Sequence, residues 1–353
     1  MSDVIDKMCK HVAGWLSGKG KDADIVISSR ARLARNLQNI PFVERATEDQ
    51  QKAVLTQVLK AAEDSTLLRG AHYFDLSALQ ALDRELFMEK RIISADFVSR
   101  DHARGFLVTS DEETSVMINE EDHVRIQTIR AGFSLDESWQ HLYRVDGELS
   151  QGLHYAFSER FGYLTACPTN VGTGVRFSVF IHLPVLSFTG EIEDIFEQMI
   201  PAGITIRGFL GEGSQSIGNF FQISNQYTLG WTEQGVLDRV VPLIERFISL
   251  ERQARENVMN GKERIMIEDK IYRARGVLSN ARILSSIEFL NLLSALRLGV
   301  DLGFFPDVRE GPFNELIVIT QPAHIQKLEG KVLTERERDE IRARWVKEKL
   351  HLN

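Results

Sequence analysis

Seven short β-rich segments follow one another with few helices between them, and that succession limits the fold more than any other feature. They are residues 105–109 (GFLVT), 114–118 (TSVMI), 124–130 (VRIQTIR), 161–166 (FGYLTA), 175–182 (VRFSVFIH), 204–210 (ITIRGFL) and 219–225 (NFFQISN). Parallel neighbours need a crossover of about a dozen residues, and the gaps between the first three segments are too short for one. The expectation is an α+β fold, a largely antiparallel sheet flanked by helices. Residues 48–63 have amphipathic spacing with Thr47 as the N-cap, and further helices are expected at 136–145, 190–200 and 233–259.

After about residue 258 the character changes. Segments 263–275, 280–298 and 334–349 are rich in Arg, Glu and Leu at helical spacing, and a short strand is expected at 316–320 (LIVIT). A chain of 353 residues has room for two domains. The division expected is a catalytic-type domain over 1–258 and a mostly helical domain over 259–353, with Asn260-Gly261 at the break. The helix at 283–298 carries more apolar surface than a lone helix could hide, so part of it is expected to pack internally and part to form a homodimer interface.

Composition narrows the function. Lys and Arg number 42 against 50 Asp and Glu, a net charge of −8. Such a chain binds nucleic acid or an anionic membrane poorly, and a polyanion such as ATP requires locally gathered cations. Cys9 and Cys167 lie far apart, which excludes a disulfide scaffold and a Cys-rich zinc site. No run approaches the ~20 apolar residues of a membrane span, and the first residues do not read as a signal peptide. The expected location is the cytoplasm, with reduced thiols.

Five arginines share one local theme of strand, arginine and glycine. Arg30 and Arg32 alternate in SSRARLAR after the strand-like run at 24–27, so they share a face. Arg125 follows an acidic loop, Arg176 a Gly-rich turn, and Arg207 precedes Gly208 and the Gly-rich loop 211–218. Each alone reads as a solvated surface residue. Together, in an acidic chain, they point to a phosphate cradle. No GxxxxGK[ST] loop and no HRD or DFG set occurs.

The run Asn119-Glu120-Glu121-Asp122-His123 either solvates a turn or binds a metal, another cation or a guanidinium. Glu212, between two glycines, suits a substrate-facing loop or an ordinary turn. Cys167 before Pro168 is either a small buried apolar group or a thiolate activated by nearby arginines. His123 and His182 read as hydrogen-bonding histidines, since no ligand-spaced partner accompanies them. Phe220, Phe221 and Tyr227 read as core or as the wall of an adenine pocket.

Together these pieces resemble the phosphagen (ATP:guanidino) kinase family. Cys167-Pro168-Thr169-Asn170-Val171-Gly172-Thr173-Gly174 reads as its CPTNxGT signature, and Asn119 to Arg125 resembles its NEEDHxR loop. Ser29-Arg30-Ala31-Arg32 resembles its S-x-R-x-R entry, and Arg207 to Glu212 its RGxxGE loop. Only 27 residues precede Ser28, where creatine and free-arginine kinases carry a helical domain. This arrangement is similar to the bacterial protein-arginine kinase branch, and Arg338-Asp339-Glu340-Ile341-Arg342-Ala343 resembles that branch's RDxxRA phosphoarginine-binding motif.

The resemblance implies ATP with Mg2+ as donor and an arginine side chain of a protein as acceptor. Glu121 and Glu212 would be the two substrate carboxylates, with Cys167 beside the guanidinium. Ser29, Arg30, Arg32, Arg125, Arg176 and Arg207 would hold ATP, with no dedicated metal ligands in the protein. Arg338, Asp339 and Arg342 would bind phosphoarginine. By resemblance the partners are a zinc-binding activator, a heat-shock repressor and a Clp-type protease, in stress-related marking of proteins. The alternatives are a small-molecule guanidino kinase and a catalytically silent phosphoarginine-binding adaptor.

Overall fold

A computed structural model describes residues 2–99, 103–209, 217–308 and 311–352. In chain order its strands are β1 (Val26–Arg35), β2 (His72–Asp75), β3 (Gly105–Val108), β4 (Thr114–Ile118), β5 (Val124–Ala131), β6 (Phe157–Ser158), β7 (Gly162–Tyr163), β8 (Val175–His182), β9 (Ile204–Gly208) and β10 (Phe220–Asn225). Eight of them form one sheet in the order β2-β3-β4-β5-β1-β8-β10-β9, and β6 and β7 pair separately. Every neighbouring pair is antiparallel, as the short connections demand. The segment expected as a strand at 161–166 keeps extended pairing only at Gly162–Tyr163.

Helices α1 (Ser2–Lys10), α2 (Glu48–Asp64), α3 (Ala81–Glu89), α4 (Ala95–Val98), α5 (Leu135–Leu149), α6 (Pro184–Thr189), α7 (Ile192–Met199) and α8 (Glu233–Asn260) surround the sheet. Helix α2 begins where its sequence says it should. Thr47 Oγ1 accepts from Gln50 N, and the Gln50 side chain accepts from Thr47 N, a complete capping box.

The sheet has two unlike faces. On β1, Ser29, Ala31 and Leu33 point into the apolar core. There Trp139 of α5 meets Phe177 of β8 edge to face at 5.6 Å. Ser28, Arg30 and Arg32 alternate onto the opposite face.

The C-terminal part is α9 (Arg264–Asn280), α10 (Ser286–Asp301), α11 (Pro312–Ile319), α12 (Pro322–Glu329) and α13 (Glu335–Leu350). Helix α10 is buried over nearly all of Phe289–Val300, while Ile287 in its first turn and Ile283 just before it stay exposed. Its Ser294 Oγ bonds Asn219 Nδ2 at 2.9 Å and His182 Nε2 at 2.8 Å, joining the helical region to the sheet. Gly299 lets α9 come close, since a Cβ there would stand 2.4 Å from Ile271.

The strand expected at 316–320 is instead the end of helix α11. Pro312 starts that helix, and Phe313, Leu316, Ile317 and Val318 are all buried. A short β-branched run buried all round has no period that separates helix from strand.

Candidate active site

Strand register gathers the arginines. Arg32 lies opposite Arg176 on β8 and Gln127 on β5. Ala34, on the same face, lies opposite Arg125. Ser28 pairs with Phe180, Phe180 with Gln222, and Gln222 with Arg207 on β9. Arg30, Arg32, Arg125, Arg176 and Arg207 therefore share one face, drawn from four strands.

Little negative charge answers them. Among the described residues, Arg125 with Glu120 is the one ion pair that these five arginines make with a carboxylate. Arg30 Nε donates to Ser178 Oγ at 3.3 Å, and Arg176 Nη2 to Ser224 Oγ at 3.1 Å. Arg32 Nε is buried without a hydrogen-bond partner among the described residues. Burial, with the charges of Arg91, Arg125 and Arg176, pushes the Arg30 guanidinium down to about 9. Burial, with Arg30, Arg125 and Arg176, pushes Arg32 well below its ordinary value. A guanidinium does not give up its proton in a protein, so this pressure is an uncompensated positive field that an anion would relieve.

The acidic loop divides its labour. Glu120 is buried and accepts from Arg125 and Ser94. Burial opposes its charge, but the Arg125 guanidinium and these bonds hold its carboxyl down to about 2. Asp122 accepts from Asn36 Nδ2 at 2.6 Å and Ala166 N at 2.7 Å. His123 accepts from Leu37 N at 3.0 Å through Nδ1, which leaves Nε2 to donate to Pro41 O at 2.9 Å. Glu121 differs: its carboxylate makes no hydrogen bond or ion pair among the described residues, and it is half-buried. Burial, then Asp122 and Glu120, raises its pKa.

Asp122 draws the Cys167 loop alongside, because Ala166 precedes the cysteine. Cys167 is half-buried, with Sγ 3.0 Å from Thr169 Oγ1. It lies close enough to Arg176 for the two side chains to interact electrostatically. Gly172 in this loop has φ +109°, and a Cβ there would stand 2.5 Å from Thr228 O, so only glycine fits. Arg35 anchors the loop from the core face, donating to Thr173 O at 2.8 Å and pairing with Asp146 at 2.9 Å.

Two cavity residues escape sequence reading. Ser29 points to the core face, its Oγ donating to Gly132 O at 2.8 Å and accepting from Ser134 N. Ser28 lines the cavity with Arg30, Arg91, Ser178 and Phe180. The spacing S-x-R-x-R itself puts the serine two residues before Arg30, at Ser28. Arg91 sits at φ +62° and reaches over the Phe209 ring at 5.0 Å. It lies in a charged run with no motif, so no sequence signal marks it.

Glu212 lies outside the described residues. His182 is buried against Ser294, and Phe220 and Phe221 are core. On α13, Arg342 is buried and donates to Thr320 O at 3.0 Å, Leu284 O at 2.6 Å and Asp339. Arg338 donates to Leu333 O at 2.7 Å and is half-buried.

Residues 52–254 match the family described as ATP:guanido phosphotransferase, C-terminal catalytic domain. Residues 264–353 match the Protein-arginine kinase McsB C-terminal domain. The chain is 42% identical over 352 residues to the protein-arginine kinase of Halothermothrix orenii, covering 100% of this chain and 99% of that one. To that of Brevibacillus brevis it is 41% identical over 343 residues, covering 96% of each. Among solved structures it resembles the substrate-free duplicated taurocyamine kinase of Schistosoma mansoni, with TM-score 0.60 and 23% identity, over 80% of this chain and 41% of that one. It also resembles lombricine kinase, with TM-score 0.59 and 23% identity, over 71% of this chain and 72% of that one. At this identity the two structures speak for the fold alone.

Proposed function

We propose that this chain, which belongs to the ATP:guanido phosphotransferase family and within it to the protein-arginine kinases, transfers the terminal phosphoryl group of ATP to arginine side chains of proteins. The observation that carries this reading is the arginine face, a field of guanidinium charge with one carboxylate partner among the described residues. Arg30, Arg32, Arg125, Arg176 and Arg207 bind the phosphates of Mg-ATP and stabilise the group in flight. Ser28 lines the same cavity, while Ser29 fixes the turn at Gly132 and so positions β1.

A guanidinium nitrogen attacks the terminal phosphorus, the bond from that phosphorus to the bridging oxygen breaks, and ADP leaves. The attacking nitrogen loses a proton as the P–N bond forms. Glu121, unbonded and with a raised pKa, accepts it, with Glu212 aligning the other edge of the guanidinium. Cys167 orients the acceptor. Full-length identity of 42% to a protein-arginine kinase weighs against the small-molecule guanidino kinase and the silent adaptor.

The test is the mass of a basic protein incubated with this enzyme and Mg-ATP. We expect an acid-labile gain of one phosphoryl group per transfer, absent with Glu121→Ala and with Glu212→Ala. Phosphorylation of free arginine without any protein gain would overturn the reading.

The proposal extends to the rest of the chain. The catalytic domain spans 1–258 and the helical domain 259–353, with helix α8 running past that boundary to end at the Asn260-Gly261 break. The helical domain reads phosphoarginine, Arg338 taking the phosphate and Asp339 the guanidinium, with Arg342 bracing Asp339. An Arg338→Ala, Arg342→Ala double variant should lose affinity for a phosphoarginine peptide; unchanged affinity would sink this part. The enzyme works as a cytoplasmic homodimer in stress-related marking of proteins, with a zinc-binding activator, a heat-shock repressor and a Clp-type protease as partners. No helix among the described residues is long and apolar enough to cross a membrane.

A further inference from the structure

We infer that the groove between the 37–45 loop and the β6–β7 hairpin docks the polypeptide that flanks the target arginine. The inference rests on the protein-arginine kinase reading and assigns a place to the rest of its substrate. The groove encloses about 410 Å3 between Ile40, Pro41 and Phe42 on one side and Ala156, Phe157 and Leu164 on the other. Its two lips carry large apolar side chains in water: Phe42 is 37% exposed and Phe157 59%.

Ordinary apolar surface is not hung as these walls are. The acceptor loop holds both of them. His123 accepts from Leu37 N and donates to Pro41 O, which fixes the first wall. Asp122 accepts from Ala166 N, and Asn36 Nδ2 joins Asp122 to Leu164 O at 3.0 Å, which fixes the second. Backbone bonds from Gln38 N to His154 O at 2.8 Å and from Ala156 N to Asn36 O at 2.7 Å close the floor. Glu121 directly precedes Asp122, and Cys167 directly follows Ala166. The groove is thus tied through Asn36, Asp122 and His123 to the loop that carries the proposed acceptor end.

The occupant is an extended segment with an apolar side chain near the arginine. Each extended residue advances roughly 3.3–3.6 Å, so side chains about two to four positions from the target reach a groove adjoining Glu121. A free guanidino amino acid is too short to fill it. Gln38, Asn39 and Arg45 line the same groove and offer polar groups to a peptide backbone.

Initial rates with the full chain and Mg-ATP test this on three acceptors. They are a peptide of about twelve residues with one arginine and a leucine three positions on, the same peptide with serine there, and Nα-acetyl-arginine amide. The wild type should show a KM at least fivefold lower for the leucine peptide than for the serine peptide. Phe157→Ser should raise the leucine-peptide KM at least fivefold, erase the difference between peptides and leave kcat/KM for the amide within twofold. Phe157→Leu should restore the preference. Equal KM values for the two peptides in the wild type would overturn the groove, as would equal effects of Phe157→Ser on peptide and amide. Failure of the wild type to phosphorylate any arginine acceptor would overturn the kinase reading beneath it. Binding of the leucine peptide without ATP, read by fluorescence anisotropy, should weaken by the same factor in Phe42→Ser.

Discussion

At the residue scale, two adjacent glutamates take opposite states. Glu120 is pinned by Arg125 and stays charged, whereas Glu121, unbonded among the described residues and beside like charges, holds its proton to higher pH. A base must be ionised to act, so activity falls as pH drops through the raised pKa of Glu121. The acid limb of kcat/KM, followed by ADP release, should lie above the ordinary glutamate value of about 4.3. A limb at or below that value would remove Glu121 from the role. Glu121→Gln should cost about 10²–10⁴ in kcat with little change in ATP affinity. For Glu120 the folded pKa is depressed, so its stabilisation is present above about 4.3 and is lost as pH falls toward about 2. Unfolding midpoints measured across that window should drop, and the drop should shrink in Glu120→Gln.

At the scale of elements, charged contacts fasten the C-terminal helices to α3 and α1 beside the apolar core they share with the sheet. The Glu89 carboxylate, at the end of α3, accepts from Ala323 N at 2.8 Å, His324 N at 2.9 Å and His324 Nδ1 at 2.8 Å. It thereby caps α12 from another element. Beside it, buried Lys90 bonds Met8 O and pairs with Glu112 at 2.7 Å, fastening α1. Glu89→Ala should lower unfolding free energy by about 2–3 kcal/mol, because two amides and a buried imidazole lose their partner together. Denaturant melts would show it, and faster proteolysis within 322–350 would locate it. A loss under ~0.5 kcal/mol would mean that α12 is held by apolar packing alone. Gly172→Ala should lower Tm and slow turnover together, because its Cβ would collide with Thr228 O and move the Cys167 loop.

At the scale of the whole molecule, a chain of net charge −8 concentrates guanidinium groups on one sheet face. Like charges held together work against the ligand-free fold, and a polyphosphate reverses that. Mg-ATP at about 100 times its Kd should therefore stabilise the fold by about 2.7 kcal/mol, read as a rise in Tm. Arg32→Gln should weaken ATP binding more than tenfold, about 1.4 kcal/mol, yet raise the ligand-free Tm. A fall in both would make Arg32 a structural residue instead.

The sequence alone determined the antiparallel sheet, because its connections are too short for crossovers, and the start of α2, because a capping box is a local device. It also marked Arg30 and Arg32 as sharing a face, since alternation along one strand is local. Only tertiary structure decided what depends on contacts distant in the chain. Strand order brought Arg125, Arg176 and Arg207 beside that pair across nearly two hundred residues. Burial all round turned 316–319 into helix where its β-branched run suggested a strand. Arg91 entered the cavity through a corner with positive φ that no motif announces, and the contrast between Glu120 and Glu121 came from which of them Arg125 could reach. Periodicity and capping act within a few residues, and sequence can report them; register, burial and electrostatic neighbours exist only once the sheet has closed.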